Sequence, residues 1–341
     1  MNEQNKKIAL LGSIPIPKAL LAMGIPTMIG MMISAIYNLV DAYFVGGLGT
    51  SQMGAISVTY PLSQVIVGLG LLFGNGAGSY VSRLLGRGEK ENANKVVSTA
   101  IYSGIFVGVV FILCTLIFLK PILKLFGATD NILPYAISYA SIFIAASIFN
   151  IFNVMMNNII TSEGAARISM FAMLSGAILN MFLDPIFINI LDMGVSGAAI
   201  ASAIGQALST VVFLSYIIRK KSIFDFRIKE CCFSKQNMTE IFKIGVPTLI
   251  FQLLTSLSII LINNQANALI SSHSKEYVDS VIAGMGAVTR IVSMGSLMVF
   301  GFIKGFQPIA GYSYGAKKFK RLNDAIRTSI IWSTIFCAIF G

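Results

Sequence analysis

Nine stretches of this chain are long and apolar enough to cross a bilayer as helices, at roughly 19–45, 53–82, 94–119, 131–160, 168–190, 194–218, 240–270, 280–311 and 324–341. A crossing helix needs about 20 apolar residues. Most of these stretches carry no charge near the middle, and none shows the alternation of a membrane barrel strand. Helices satisfy every backbone group internally, which hydrocarbon demands. Composition agrees: 55% of residues are hydrophobic and 11% charged, too few charges to solvate a water-facing surface. The pattern predicts an all-α polytopic membrane protein.

The net charge of +11 is a matter of placement. With the N-terminus inside, 20 of the 25 basic residues fall on the inner side: Lys6, Lys7 and Lys18, Arg83 to Lys95, Arg167, Arg219 to Lys243, and Lys317 to Arg327. Lys120, Lys124 and Lys275 fall outside. This bias predicts a multi-pass protein of a bacterial inner membrane with a cytoplasmic N-terminal tail. Because the basic residues sit in short loops between apolar runs, they point to lipid headgroups and away from nucleic acid. Cys114, Cys231, Cys232 and Cys337 lack metal-ligand spacing, and His273 is the sole histidine. No P-loop is present to bind ATP, and the intramembrane acids have no nucleophile or metal-ligand partner of convincing spacing. An enzyme is not expected, and no cofactor is called for.

The sequence repeats itself. Gly24-Ile25-Pro26-Thr27 opens the first span and Gly245-Val246-Pro247-Thr248 the seventh. Met53-Gly54-Ala55 is matched by Met285-Gly286-Ala287, and Leu85-Gly86-Arg87-Gly88 by Tyr314-Gly315-Ala316-Lys317. With six spans between copies, both start on the same side, giving a parallel repeat of two bundles. Residues 1–218 then form a six-helix lobe, 219–239 a basic linker, and 240–341 three helices of an incomplete second lobe.

Asp41 and Asp184 are the acids inside apolar spans, and a carboxylate there rarely lacks a function. At 1.5 Å per residue, Asp41, Asn180, Asp184 and Ser202 all fall within roughly 6–15 Å of the outer boundary. Asn180 and Asp184, like Tyr37 and Asp41, are spaced i, i+4 and share a helix face. Oxygen ligands with two carboxylates suit a proton or a hard cation such as Na⁺. Pro26 cannot donate to the Ala22 carbonyl and is a candidate hinge. Asn150, Asn153 and Asn157 put a polar face on the fourth span, facing either a solute path, with Tyr37, or a neighbouring helix. Arg290 and Lys304 share a face of the eighth span. Lys304 is expected to snorkel toward the inner boundary, and Arg290 to meet a structural partner or an anionic solute. Gly70, Gly74 and Gly78 predict close helix packing.

These segments, together with Asn38-Leu39-Val40-Asp41, Gly46-Gly47-Leu48-Gly49, Leu183-Asp184-Pro185, Gly194-Val195-Ser196-Gly197-Ala198-Ala199 and Gln307-Pro308-Ile309-Ala310-Gly311-Tyr312, resemble the multidrug and toxic compound extrusion (MATE) family, in particular its MepA-like branch. The resemblance spans essentially the whole chain. It implies twelve helices in two six-helix lobes, so this sequence stops within the ninth, either as a fragment or as a truncated protein. It also implies that Asp41, Asn180, Asp184 and Ser202 form a first-lobe coupling-cation site. Some branches carry an acid in the seventh helix, where this chain has Gln252, Thr255, Asn263 and Asn264 and no acid between 247 and 268.

The expected function is secondary active export of cationic or amphipathic small molecules against Na⁺ or H⁺ by alternating access, by a protein that is monomeric when full length. The alternatives are a lipid or lipid-linked sugar flippase and a non-transporting truncated membrane protein.

Overall fold

A computed structural model describes residues 3–128, 130–269 and 275–340; the side chains of 38, 42, 50, 259–260, 262–294 and 339–340 fall outside that description. The described elements are helical. The first three are α1 (Glu3–Gly12), α2 (Ile16–Gly46) and α3 (Thr50–Arg87). They are followed by α4 (Lys90–Ile117), α5 (Leu119–Leu125), α6 (Leu133–Ser162), α7 (Ala166–Pro185) and α8 (Gly194–Ile218). The second part holds α9 (Lys235–Leu269), α10 (Lys275–Gly315) and α11 (Phe319–Phe340). Among the described residues, seven helices are long and apolar enough to cross a membrane: α2, α3, α4, α6, α7, α8 and the described part of α9. The eighth and ninth expected spans coincide with α10 and α11, which are helical.

Glycines set how closely these helices approach. A Cβ at Gly70, Gly74 or Gly78 of α3 would strike Val154, Met155 or the Asn158 carbonyl of α6, so the four-residue spacing packs α3 against α6. α3 ends where Gly88 adopts a left-handed φ of 80° and its N–H bonds the Leu84 and Leu85 carbonyls. α6 also packs on α4 and α8, and α7 on α2 and α8. The main apolar core lies among α3, α4, α6 and α8 toward the end that carries the basic loops, here called the basic end. A second cluster joins α3, α4, α5 and α6 at the opposite end.

The two copies of the repeat meet each other. α9 packs along α3, and α10 along α2 and α3. Gly24 of α2 abuts Phe302 and Gly305 of α10, while its counterpart Gly245 of α9 abuts the Leu72 backbone of α3. Gly86 lies on Tyr312 and Ala316, and its counterpart Gly315 on the Arg83 carbonyl. The matched motifs are therefore reciprocal contacts across the lobes. Arg83 and Glu240 pair over 3.1 Å across the same surface. Asn75 of α3 accepts from Gln307 (2.9 Å) and donates to Thr248 (3.1 Å).

Several elements differ from the apolar-span reading. The N-terminal tail is a helix, α1, because its Lys7 and Leu11 find buried partners. Residues 219–234 are irregular apart from a short 3-10 turn at Ile228–Glu230. They lie on α4, where the Asp225, Phe226 and Cys232 carbonyls accept from Ser98, Tyr102 and Thr99. Residues 235–239 of the expected linker are the first turn of α9, a polar extension of the apolar span.

Candidate functional site

Asn180 and Asp184 stand one turn apart on α7, and Ser202 faces them from α8. Facing glycines bring the helices together: a Cβ at Gly176 would strike Ser209 and the Gly205 carbonyl, and one at Gly205 would strike the Gly176 carbonyl and crowd Asn180. Ser209 Oγ locks the pair by donating to the Ala172 carbonyl at 2.8 Å. At that separation Asn180 Nδ2 reaches Asp184 Oδ1 at 3.2 Å and Ser202 Oγ at 3.3 Å. Asp184 is 0% exposed, and Asn180 and Ser202 are buried.

α2 brings the second carboxylate. Asp41 and Asp184 lie within electrostatic reach of each other. Tyr37, one turn before Asp41, shares a hydrogen bond with Ser202 and lies within electrostatic reach of both carboxylates. The sequence reasoning missed Tyr139 of α6, a buried phenol within electrostatic reach of Asp41, Tyr37 and Asp184. Its ring stacks on Phe143 at 5.7 Å. The depth argument that found Ser202 would have found Tyr139, had it been applied to aromatic residues of the fourth span. Toward the opposite end the site is covered by Val45, Ile188, Val195, Ala198 and Ala199. Ile188 belongs to a π-helical turn, Ile186–Ile190, which follows Pro185, where the helix lacks a donor.

Three oxygens in this cluster are buried without a hydrogen-bond partner: Asp41 Oδ1, Asn180 Oδ1 and Asp184 Oδ2. Buried acceptors without donors are costly, and two nearby carboxylates in low dielectric do not both stay ionised without compensation. A proton or a hard cation meets both needs, and the all-oxygen donor set suits Na⁺. Among the described residues no three of His, Cys, Asp and Glu gather as a transition-metal site.

The other candidates are placed differently. Pro26 lies inside an uninterrupted α2, and Thr27 Oγ1 bonds the Met23 and Gly24 carbonyls at 2.9 Å. Asn153 ties α6 to α8: its Nδ2 donates to the Gln206 carbonyl (2.8 Å) and its Oδ1 accepts from Thr210 (2.9 Å). Asn157 donates to Met173 Sδ at 2.9 Å and accepts from Lys304. Lys304 is thus corrected from the expected snorkelling. Its ammonium bonds an amide oxygen of the opposite lobe, a partner nearer than the basic boundary. With Asn75, Gln307, Asn158 and Thr161 it lines a small polar cavity between α3, α6 and α10. Arg290, like Asn263 and Asn264, lies outside the described side chains. Asn75 was not anticipated, although a lone amide between Gly74 and Gly76 in an apolar run was its signal.

The MatE family model matches residues 26–186 and 244–341, which include Asp41, Asn180, Asp184, Lys304 and the Gly245-Val246-Pro247-Thr248 motif. The chain belongs to the MATE family. It is 34% identical over 318 residues to the multidrug export protein MepA of Staphylococcus aureus, covering 93% of this chain and 68% of that protein. It is 32% identical over 323 residues to MepA of Staphylococcus saprophyticus, covering 94% and 70%. Among solved structures, the outward-facing conformation of a multidrug resistance MATE family transporter superposes with a TM-score of 0.89 at 28% identity, over 97% of this chain and 72% of that one. A MATE in the straight conformation gives 0.88 at 27% identity, over 97% and 72%. The chain is therefore a MepA-like MATE transporter, an all-α multi-pass membrane protein and not an enzyme. It spans about 70% of the length of these relatives.

Proposed function

We propose that this MATE protein is a multidrug exporter that moves cationic or amphipathic small molecules outward in exchange for Na⁺ or H⁺ entering through Asp41, Asn180, Asp184 and Ser202. The observation that carries this reading is the buried cluster of two carboxylates with three unpaired oxygens, built on α2, α7 and α8. The names of the Staphylococcus relatives support drug export. Loop charge supports a bacterial inner membrane with the basic end in the cytoplasm.

The mechanism is alternating access. The described contacts between the lobes run from the basic end as far as Pro61 and Ser256, whose hydroxyl bonds the Pro61 carbonyl at 3.4 Å. That arrangement keeps the cytoplasmic side closed. Occupation of the acidic cluster by a cation removes its charge and favours a different packing of α2 against α7, with Pro26 absorbing the bend. Solute release outside and cation entry are thereby coupled. A flippase reading has one observation in its favour: Lys304 sets a positive charge at the lobe contact, where an anionic headgroup would be welcome.

Ethidium uptake into inverted vesicles tests the reading. Uptake should fall when one of the two gradients, Na⁺ or H⁺, is collapsed. In Asp41→Asn it should fall roughly tenfold or more, within the usual range of coupling free energies. Unchanged uptake in Asp41→Asn would remove the aspartate from the coupling role.

A further inference from the structure

α1 touches both lobes at the basic end, and its two attachments differ in kind. Toward the first lobe, Glu163 at the end of α6 is 0% exposed. It accepts from Lys7 Nζ (3.1 Å), the Tyr216 hydroxyl, Ser222 Oγ (2.7 Å) and the Ile223 N–H (2.6 Å). Lys7 also donates to Tyr216 and to the Lys221 carbonyl (2.6 Å), and Gln4 to the Ser222 carbonyl (3.0 Å). Pulling Lys7 away would strand a buried carboxylate, and breaking such a pair is strongly unfavourable.

Toward the second lobe the acceptors are neutral carbonyls. Lys318 Nζ donates to the Gly12 carbonyl at 3.0 Å. Arg321 donates to the Ile14 carbonyl at 2.7 Å and to the Leu11 carbonyl at 3.2 and 3.3 Å. These are the last carbonyls of α1 and the loop after it, which a basic side chain or water satisfies equally well. Lys318 is exposed and Arg321 half-buried, so water has access. Gly12 rests on the Tyr312 ring, and Leu11 joins α2, α7, α10 and α11 in one apolar cluster.

We infer that α1 is a clasp holding the basic end closed, and that its attachment to Lys318 and Arg321 releases when the lobes part, so that α1 travels with the first lobe. The inference rests on the alternating-access reading, for which it names one contact that must break. The segment before α2 then biases the equilibrium between the two open states.

Spin-label distances in liposomes test it, without solute or ion gradient, in a background with the four native cysteines changed to serine. Labels go on Asn5 of α1, Lys90 of the first lobe and Asn323 of the second, all exposed. In the Lys318→Gln, Arg321→Gln variant the fraction of molecules with a lengthened Lys90–Asn323 distance should rise roughly fivefold or more. The Asn5–Asn323 distance should lengthen with it, and the Asn5–Lys90 distance should stay fixed. A Lys90–Asn323 fraction unchanged from the parent protein, or a lengthening Asn5–Lys90 distance, overturns the clasp. A Lys90–Asn323 distance with one value in parent and variant alike also overturns it, and alternating access with it.

Discussion

Asn180 holds two of the four oxygen-bearing side chains assigned to the cation, Asp184 and Ser202, through a single amide. Replacing Ser202 with alanine removes one acceptor and leaves the carboxylates in place. A hydrogen bond contributes about 1 kcal/mol net, so the cation concentration giving half-maximal ethidium efflux should rise roughly fivefold. A dose–response series checks this. Glu163 has a structural task. Glu163→Ala leaves Lys7 without its buried counter-charge and Tyr216 without its acceptor, and should lower stability by about 3 kcal/mol, read as a lower midpoint in detergent-solubilised unfolding. The sequence points to Asn180 and Asp184 through i, i+4 spacing, and to Ser202 through depth. Glu163 escaped notice because it sits just past the end of a span, where acids look solvated. Only the fold reveals that α1 and residues 222–223 cover it.

Helix contacts here depend on residues without side chains. The spacing of Gly70, Gly74 and Gly78 announced close helix packing, and the fold supplies α6 as the partner. Gly176 and Gly205 gave no such signal, since neither belongs to a four-residue glycine series and the pair exists only after α7 and α8 meet. Gly176→Val should push these helices apart, costing about 2 kcal/mol or more by overpacking and separating Asn180 from Ser202. Loss of cation-dependent efflux together with a lower unfolding midpoint would register both effects. α1 and the π-helical turn were also illegible, because elements of ten and five residues lie below the length at which apolar periodicity speaks. Pro26 was legible, as proline always is. Pro26→Ala restores the donor to the Ala22 carbonyl and should slow turnover while leaving ethidium affinity unchanged, which binding and vesicle rates would separate.

Across the molecule, the two matched motifs pack on each other's neighbouring helices, Gly24 on α10 and Gly245 on α3. The polar bonds across that surface (Arg83 to Glu240, Lys304 to Asn157, and Asn75 to Gln307 and Thr248) had no sequence signature, since each needs both lobes in place. On the proposed mechanism, the acidic cluster near the opposite end is linked to solute binding between lobes that close at the basic end. The most direct measurement is ethidium affinity of the purified protein, by fluorescence polarisation, across pH and Na⁺ concentration. In the parent chain one of the two cations should weaken binding. In Asp184→Asn the affinity should be independent of both. If the variant kept the full cation dependence of the parent, the acidic cluster would not be the coupling site.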